Sequence, residues 1–181
     1  QETTFLDFFD DARWLNQGGN FLWTSERSGW RHVFNISRDG KTALNLTEGD
    51  FDVVSIQTID EENGWLYYIA SPKNVAQRYL YRSKLDGSLS NQRVTPEAFA
   101  GTNRYQMSAD GQWAIHSHST FTQPTQKRLV KIEGHHTTHM MMDNKVLMDK
   151  LATLPKTDHE FFQVTAQDGV VLDGYLIRPA D

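Results

Sequence analysis

The stretch Phe21–Ile36, FLWTSERSGWRHVFNI, reads as a strand, a polar turn and a second strand. Phe21, Trp23 and Ser25 alternate with Leu22 and Thr24, and Val33 and Asn35 alternate with Phe34 and Ile36. A period of two built from aromatic and β-branched residues is strand behaviour. The plan then recurs. WLYYIAS from Trp65, a polar loop and RYLYRSKLDG ending at Gly87 form a second copy; WAIHSHS from Trp113, a loop and KRLVKIEG ending at Gly134 form a third. Equivalent landmarks lie 44 to 48 residues apart: Leu22 to Leu66 is 44, Phe34 to Tyr81 is 47, and Thr47 to Thr95 and Trp65 to Trp113 are each 48. Repeats of forty-odd residues with several strands per unit are the signature of propeller blades.

The joints support the same reading. Arg27-Ser28-Gly29, Asp39-Gly40, Asn63-Gly64, Asp86-Gly87 and Asp110-Gly111 each fall between two apolar runs, where glycine accepts positive φ and Asp or Asn braces the backbone. Ala43–Leu46, Asp52–Ile59 and Arg104–Ser108 add short alternating pieces, which makes four strands per unit for the first two units. Trp14, Trp23, Trp65 and Trp113 read as blade core, large rings filling the space between adjacent sheets. The expected fold is mainly β: a partial β-propeller of about three antiparallel four-stranded blades over residues 1–135. After His135 the alternation stops. Residues 136–158 read as a linker in which Asn144–Leu154 forms a short helix ended by Pro155, with Val146, Leu147, Leu151 and Leu154 on one face. Residues 159–181 read as a hairpin outside the repeat, with strands Phe161–Thr165 and Val171–Ile177 about the Asp168-Gly169 turn.

Composition excludes several classes of function. The 181 residues carry 18 Lys and Arg against 23 Asp and Glu, a net charge of −5 with no basic run, so nucleic acid is not an expected partner. No apolar run reaches the roughly 18 residues of a membrane span. The absence of cysteine removes disulfides, thiol nucleophiles and thiolate metal sites, and nothing in the sequence calls for a cofactor.

Candidate functional residues are few. Trp30, Arg31 and His32 place a ring, a cation and an imidazole at a blade turn, weak candidates for substrate contact; Trp30, beside Gly29, could also serve as a sugar platform. His135 and His139 stand four apart, the spacing that places two imidazoles on one helical face for zinc, but Gly-His-His-Thr-Thr is a poor helix former. They are weak metal candidates, and a solvated loop is the simpler reading. His116, Ser117, His118 and Ser119 resemble triad parts, yet adjacent positions on a strand face opposite ways, so decoration of a strand is expected. Met140–Met142 offer an adaptable apolar contact for a neighbouring domain.

Together, TSERSGWRHVF (24–34), LTEGDFDV (46–53), WLYYIAS (65–71), LMDKLATLPKTDHEFFQV (147–164) and DGVVLDGYLIRPAD (168–181) resemble the last part of the propeller domain of the dipeptidyl peptidase IV family, in the prolyl oligopeptidase clan of serine peptidases. The resemblance implies a parent in which an eight-bladed propeller caps an α/β-hydrolase domain that releases N-terminal dipeptides after proline or alanine. It also implies a homo-oligomer, a peptide substrate and a periplasmic or secreted location. Three blades are too few to close a ring, so earlier blades and the hydrolase domain are expected outside this chain, the last hairpin being that domain's opening. No G-x-S-x-G nucleophile elbow occurs; Gly87-Ser88-Leu89-Ser90-Asn91 lacks the second glycine. Glu61-Glu62 could imitate the family's amino-terminus-binding glutamate pair but reads as a turn. No catalytic residue is expected in the chain, which should be inactive alone. The rival expectation is a free-standing TolB-like or WD40-like module that binds a protein or glycan.

Overall fold

The computed structural model describes residues 12–154 and 158–178. The first repeat forms β1 (Arg13–Leu15), β2 (Asn20–Ser25), β3 (His32–Ser37) and β4 (Ala43–Asn45). The second forms β5 (Val53–Asp60), β6 (Trp65–Ala70), β7 (Tyr79–Lys84) and β8 (Gln92–Arg93). The third forms β9 (Thr102–Met107), β10 (Trp113–Ser119), β11 (Gln126–Lys131) and β12 (His136–Met142). Each set is an antiparallel meander in chain order, giving three four-stranded sheets. Helix α1 (Lys145–Leu151) follows, and β13 (Asp158–Thr165) pairs with β14 (Val171–Arg178) in a separate hairpin. The architecture is a partial propeller, mainly β.

The middle sheet explains why its sequence loses the period of two. In β6, Leu66, Tyr68 and Ala70 pack against Leu22, Val33 and Leu46 of the first repeat, while Tyr67 and Ile69 pack against Tyr105, Ala114 and Val130 of the third. A strand covered on both faces needs apolar side chains on both, so WLYYIA reads as a continuous run. β2 is covered on one face only. Leu22 and Thr24 are buried towards the middle sheet, and Phe21 and Trp23 face away from it.

That geometry corrects the expectation for three of the four tryptophans, Trp14, Trp23 and Trp113. Trp14 is 60% exposed, Trp23 38% and Trp113 39%. Trp14 pairs with Phe21 on the outer face of the first sheet, because the neighbouring Leu15 and Leu22 take the inner one. Trp65 is half-buried and packs against the core between the second and third sheets, with Arg82 at 4.1 Å and Lys84 at 3.9 Å over its ring. Tyr67, Tyr68, Tyr79 and Tyr81 fill the inter-sheet space instead.

A threonine recurs for a physical reason. The buried Thr47 hydroxyl accepts the Val33 N–H at 3.0 Å, and the buried Thr95 hydroxyl accepts the Leu80 N–H at 2.8 Å. Each closes the third strand of its sheet where the short fourth strand has run out, so the 48-residue spacing marks a shared hydrogen-bonding role. The Asp110-Gly111 turn also couples two repeats: Gly111 has φ of 66°, and a Cβ there would lie 2.8 Å from the Tyr67 ring.

Two further expectations change. Residues 136–142, expected to open a linker, are β12, the fourth strand of the third sheet. The strand escapes sequence detection because it is an edge strand exposed along nearly its whole length, with two register shifts against β11, so no face is forced to be apolar. α1 is shorter than expected, seven residues, with Val146, Leu147, Leu151 and Leu154 exposed. Pro155, expected to end it, lies outside the described residues. The hairpin touches the third sheet through Phe121, whose ring lies 5.2 to 5.5 Å from those of His159, Phe161 and Tyr175.

Candidate functional site

The turn candidates do not converge. Trp30 is 41% exposed. The Arg31 backbone N–H donates to Asp52 Oδ1 at 2.7 Å and its guanidinium to the Val54 carbonyl at 3.3 Å, so this residue joins the first repeat to β5. His32 points inward, fully buried, with Nδ1 3.3 Å from the Thr47 hydroxyl and its ring edge-on to Phe51 at 5.7 Å. Burial holds its pKa below the ordinary imidazole value. Arg31 thus ties the first repeat to β5, His32 packs inside it, and Trp30 stays exposed.

The zinc-like pair separates for a different reason. His135 occupies a one-turn bend with φ of 51° and is buried, whereas His139 lies exposed on β12 opposite Leu129. The helical face that i, i+4 spacing requires is not formed, and among the described residues no group of His, Cys, Asp or Glu is arranged to hold a metal. His135 is also not in the solvated loop expected for it. Near the Gly87 string, Ser88 donates from its hydroxyl and its backbone N–H to Asp86 Oδ1 in the loop between β7 and β8. Glu61 accepts the Asn16 backbone N–H at 2.9 Å and so serves as a tie between the first two repeats.

Sequence reasoning missed a cluster of three histidines. His116 and His118 lie two apart on β10 and share its buried face, and His135 closes on them from the bend after β11. Phe99, on the crossover into β9, is ringed by His116 at 5.1 Å, His118 at 5.4 Å and His135 at 5.3 Å, with the Arg128 guanidinium 4.6 Å from its centroid. Asn103 Nδ2 donates to the carbonyls of Arg78 and Phe99, which leaves its Oδ1 to accept from His116 Nε2 at 2.7 Å. His118 Nε2 donates to the Ala100 carbonyl at 2.9 Å, and His135 Nε2 lies 2.8 Å from the Tyr105 hydroxyl. The Nδ1 atoms of all three have no protein partner. Burial first, then neighbouring positive groups, depresses His116 to about 3; burial, with Arg128 adding to it, depresses His135 to about 4. The cluster is a buried joint between the second and third sheets. The period-two rule that sets Ser117 apart from His116 also puts His118 beside it, and that signal was present in the sequence.

A cleft of about 1000 Å³ lies where the edge strands β5 and β9 meet. Ser55 and Gln57 line it from β5, Arg104 and Gln106 from β9, Ser117 from β10 and Lys127 from β11. Arg78 also lines it, and among the described residues no carboxylate does. A chamber of this kind can bind polar or anionic groups, and it presents no nucleophile–base pair.

Comparison with known proteins gives this architecture a family. The family described as "Dipeptidyl peptidase IV (DPP IV) N-terminal region" matches residues 1–125. A probable dipeptidyl peptidase 4 of Emericella nidulans is 39% identical over 57 residues, covering 32% of this chain and 7% of that protein. Dipeptidyl peptidase 4 of Trichophyton equinum is 24% identical over 149 residues, 82% of this chain and 19% of that one. Among solved structures, dipeptidyl peptidase 4 of Porphyromonas gingivalis superimposes with a TM-score of 0.80 at 21% identity, over 94% of this chain and 23% of the other; at that identity the likeness speaks to fold alone. The chain therefore spans less than a quarter of the length of each of these relatives, and with its family match covering more than half of its residues it belongs to the dipeptidyl peptidase IV family, in the N-terminal region.

Proposed function

We propose that this chain is the non-catalytic propeller part of a dipeptidyl peptidase IV-like serine exopeptidase. In that enzyme it walls the substrate chamber, restricts entry to short or unfolded N-termini, and leads through α1 and the β13–β14 hairpin into an α/β-hydrolase domain that releases dipeptides after proline or alanine. The observation that carries this reading is the stacking of three successive four-stranded meanders in a chain whose residues 1–125 match the family's N-terminal region. The same match weighs against a free-standing TolB-like or WD40-like module. A periplasmic or secreted location follows from the family reading, and no described helix is long and apolar enough to cross a membrane. Exposed apolar side chains on the hairpin, among them Phe162, Val164, Leu172 and Leu176, suit a second domain or another copy of the chain.

A Gly-Pro chromogenic assay tests the reading. The isolated chain should release no chromophore, and a longer parent that carries a G-x-S-x-G elbow after Asp181 should release it. Turnover by the isolated chain, or a coding sequence that stops at Asp181, would sink the proposal.

A further inference from the structure

We propose that the three-histidine cluster is an acid-operated latch: its protonation lifts the crossover before β9 off β10 and releases the β13–β14 hairpin from the third sheet. The device lies within the chain itself and stands whether or not the parent is a peptidase.

The cluster lies one layer beneath the surface. His116, His118 and His135 are each at most 6% exposed, while Glu97, Ala98 and Ala100 of the crossover are exposed and Phe99 is half-buried. The Phe99 ring is thus a lid shared by the three imidazoles. Two polar ties hold it down: His118 Nε2 donates to the Ala100 carbonyl at 2.9 Å, and Asn103 Nδ2 donates to the Phe99 carbonyl at 2.9 Å. Gly101 permits the close approach, since its φ is 128° and a Cβ there would stand 2.5 Å from the Ser119 carbonyl.

Nothing around the cluster balances an added positive charge. The Arg128 guanidinium already faces it from β11, and Tyr105 on β9 and His136 beyond the bend are its other titratable neighbours. From the second sheet Arg93 adds a cation, and the crossover's carboxylate, Glu97, is paired with Arg93 at 3.0 Å. The His116 and His135 rings lie 4.9 Å apart, and a proton on either Nδ1 would make a buried donor with no acceptor among the described residues. Two cations at that separation repel strongly where water is excluded. Raising the lid hydrates both, and burial accordingly holds both rings below the ordinary imidazole value.

The lid also supports the hairpin. Ala100 and Gly101 of the crossover, Thr120 and Phe121 of the β10–β11 loop, and His159 and Phe161 of the hairpin line one groove of about 320 Å³. Among the described residues, every ring contact between hairpin and sheets runs through Phe121, three residues beyond His118. An element held by so few contacts opens locally at little cost, so movement of one groove wall sets it free.

Distances between two spin labels test this. The chain has no cysteine, so Glu62→Cys on the second sheet and Gln167→Cys at the hairpin turn, both exposed, take one label each. Double electron–electron resonance should give one narrow distance distribution at pH 7.5 and a broad one at pH 5, with β1–β4 still protected from hydrogen exchange. Starting from an ordinary imidazole pKa of about 6.5, His116 and His135 each contribute up to about thirtyfold to the released fraction at pH 5. The double variant His116→Phe/His135→Asn should stay narrow at pH 5; if it does not fold, His135→Asn alone should lose about thirtyfold of the response. Phe121→Ala, at a 49% exposed position, should be broad at both pH values. His159→Gln should respond to acid as the parent chain does, which separates the cluster from the imidazole on the hairpin itself. An unchanged distribution at pH 5, an undiminished response in the cluster variants, or release only together with loss of protection in β1–β4 would each overturn the proposal. So would a narrow distribution in Phe121→Ala, or a response abolished by His159→Gln.

Discussion

The two seams between the three sheets share an architecture and differ in chemistry. Between the first and second sheets lie Leu22, Val33, Leu46, Leu66 and Tyr68, all with essentially no exposure. Between the second and third, Tyr67, Ile69 and Leu80 meet a face on which Asn103, His116, His118 and Arg128 are buried beside Tyr105 and Val130. An apolar seam gains from burial at any pH, at about 1.5–3 kcal/mol for each large side chain. A seam built on neutral imidazoles holds only while they remain neutral. The same blade-to-blade contact is thus less acid-sensitive on one side, where His32 is the buried imidazole, than on the other, where His116 and His135 are both held below the ordinary value.

Acidification should produce the largest divergence. The folded pKa values of His116 and His135, about 3 and 4, lie below the ordinary 6.5, so the unfolded chain takes up protons first. Stability is complete above pH 6.5 and falls as the pH descends towards those folded values. At pH 5 the loss is roughly 2 kcal/mol for each of the two histidines. Hydrogen exchange resolved by segment should show β9–β12 opening before β1–β4, and loss of protection in the first sheet ahead of the third would contradict the contrast. His116→Phe should flatten the acid limb, at a cost of about 1 kcal/mol near neutral pH from the orphaned Asn103 Oδ1.

Leu66→Ala strikes the other seam. It should cost about 3 kcal/mol in urea unfolding, with the same loss at pH 7 and pH 5. A strongly pH-dependent loss would mean that the two seams are not energetically distinct.

The buried threonines sharpen the comparison on a smaller scale. Thr47→Val and Thr95→Val each strand a buried backbone N–H, and each should cost about 1–2 kcal/mol. Both should also alter the acid limb, because the Thr47 hydroxyl lies 3.3 Å from His32 Nδ1 and the Thr95 hydroxyl lies 2.9 Å from that of Tyr105, which in turn contacts His135. Least affected of all should be Trp30→Ala, within about 0.5 kcal/mol by thermal melt, since that ring is 41% exposed.

Strand pairs, turns and repeat length were legible wherever burial forces a pattern. FLWTSERSGWRHVFNI became β2, its turn and β3 because one face of each strand must be apolar and the turn needs a glycine. β12 and the true length of α1 were not legible, because neither buries an apolar face against the sheets and the residues carry no corresponding period. Of the site residues proposed from the sequence, Trp30, Arg31 and His32 are adjacent in the chain yet point to different surroundings, while His139 never meets His135. The histidine cluster draws on Phe99, Asn103, His116, His118, Arg128 and His135, brought together by three strands and a crossover.

Alone, the sequence determined the repeat and its four-strand plan in the first two units, which follow from local periodicity and short-range turn chemistry, and its motifs carried the family resemblance. Tertiary structure decided which face of each sheet is covered. A period of two says that faces differ but not which neighbour each will meet. That choice set Trp14 and Trp23 outside, gathered three imidazoles in one joint where burial holds His116 and His135 below the ordinary value, and left Arg104 and Lys127 lining an open cleft.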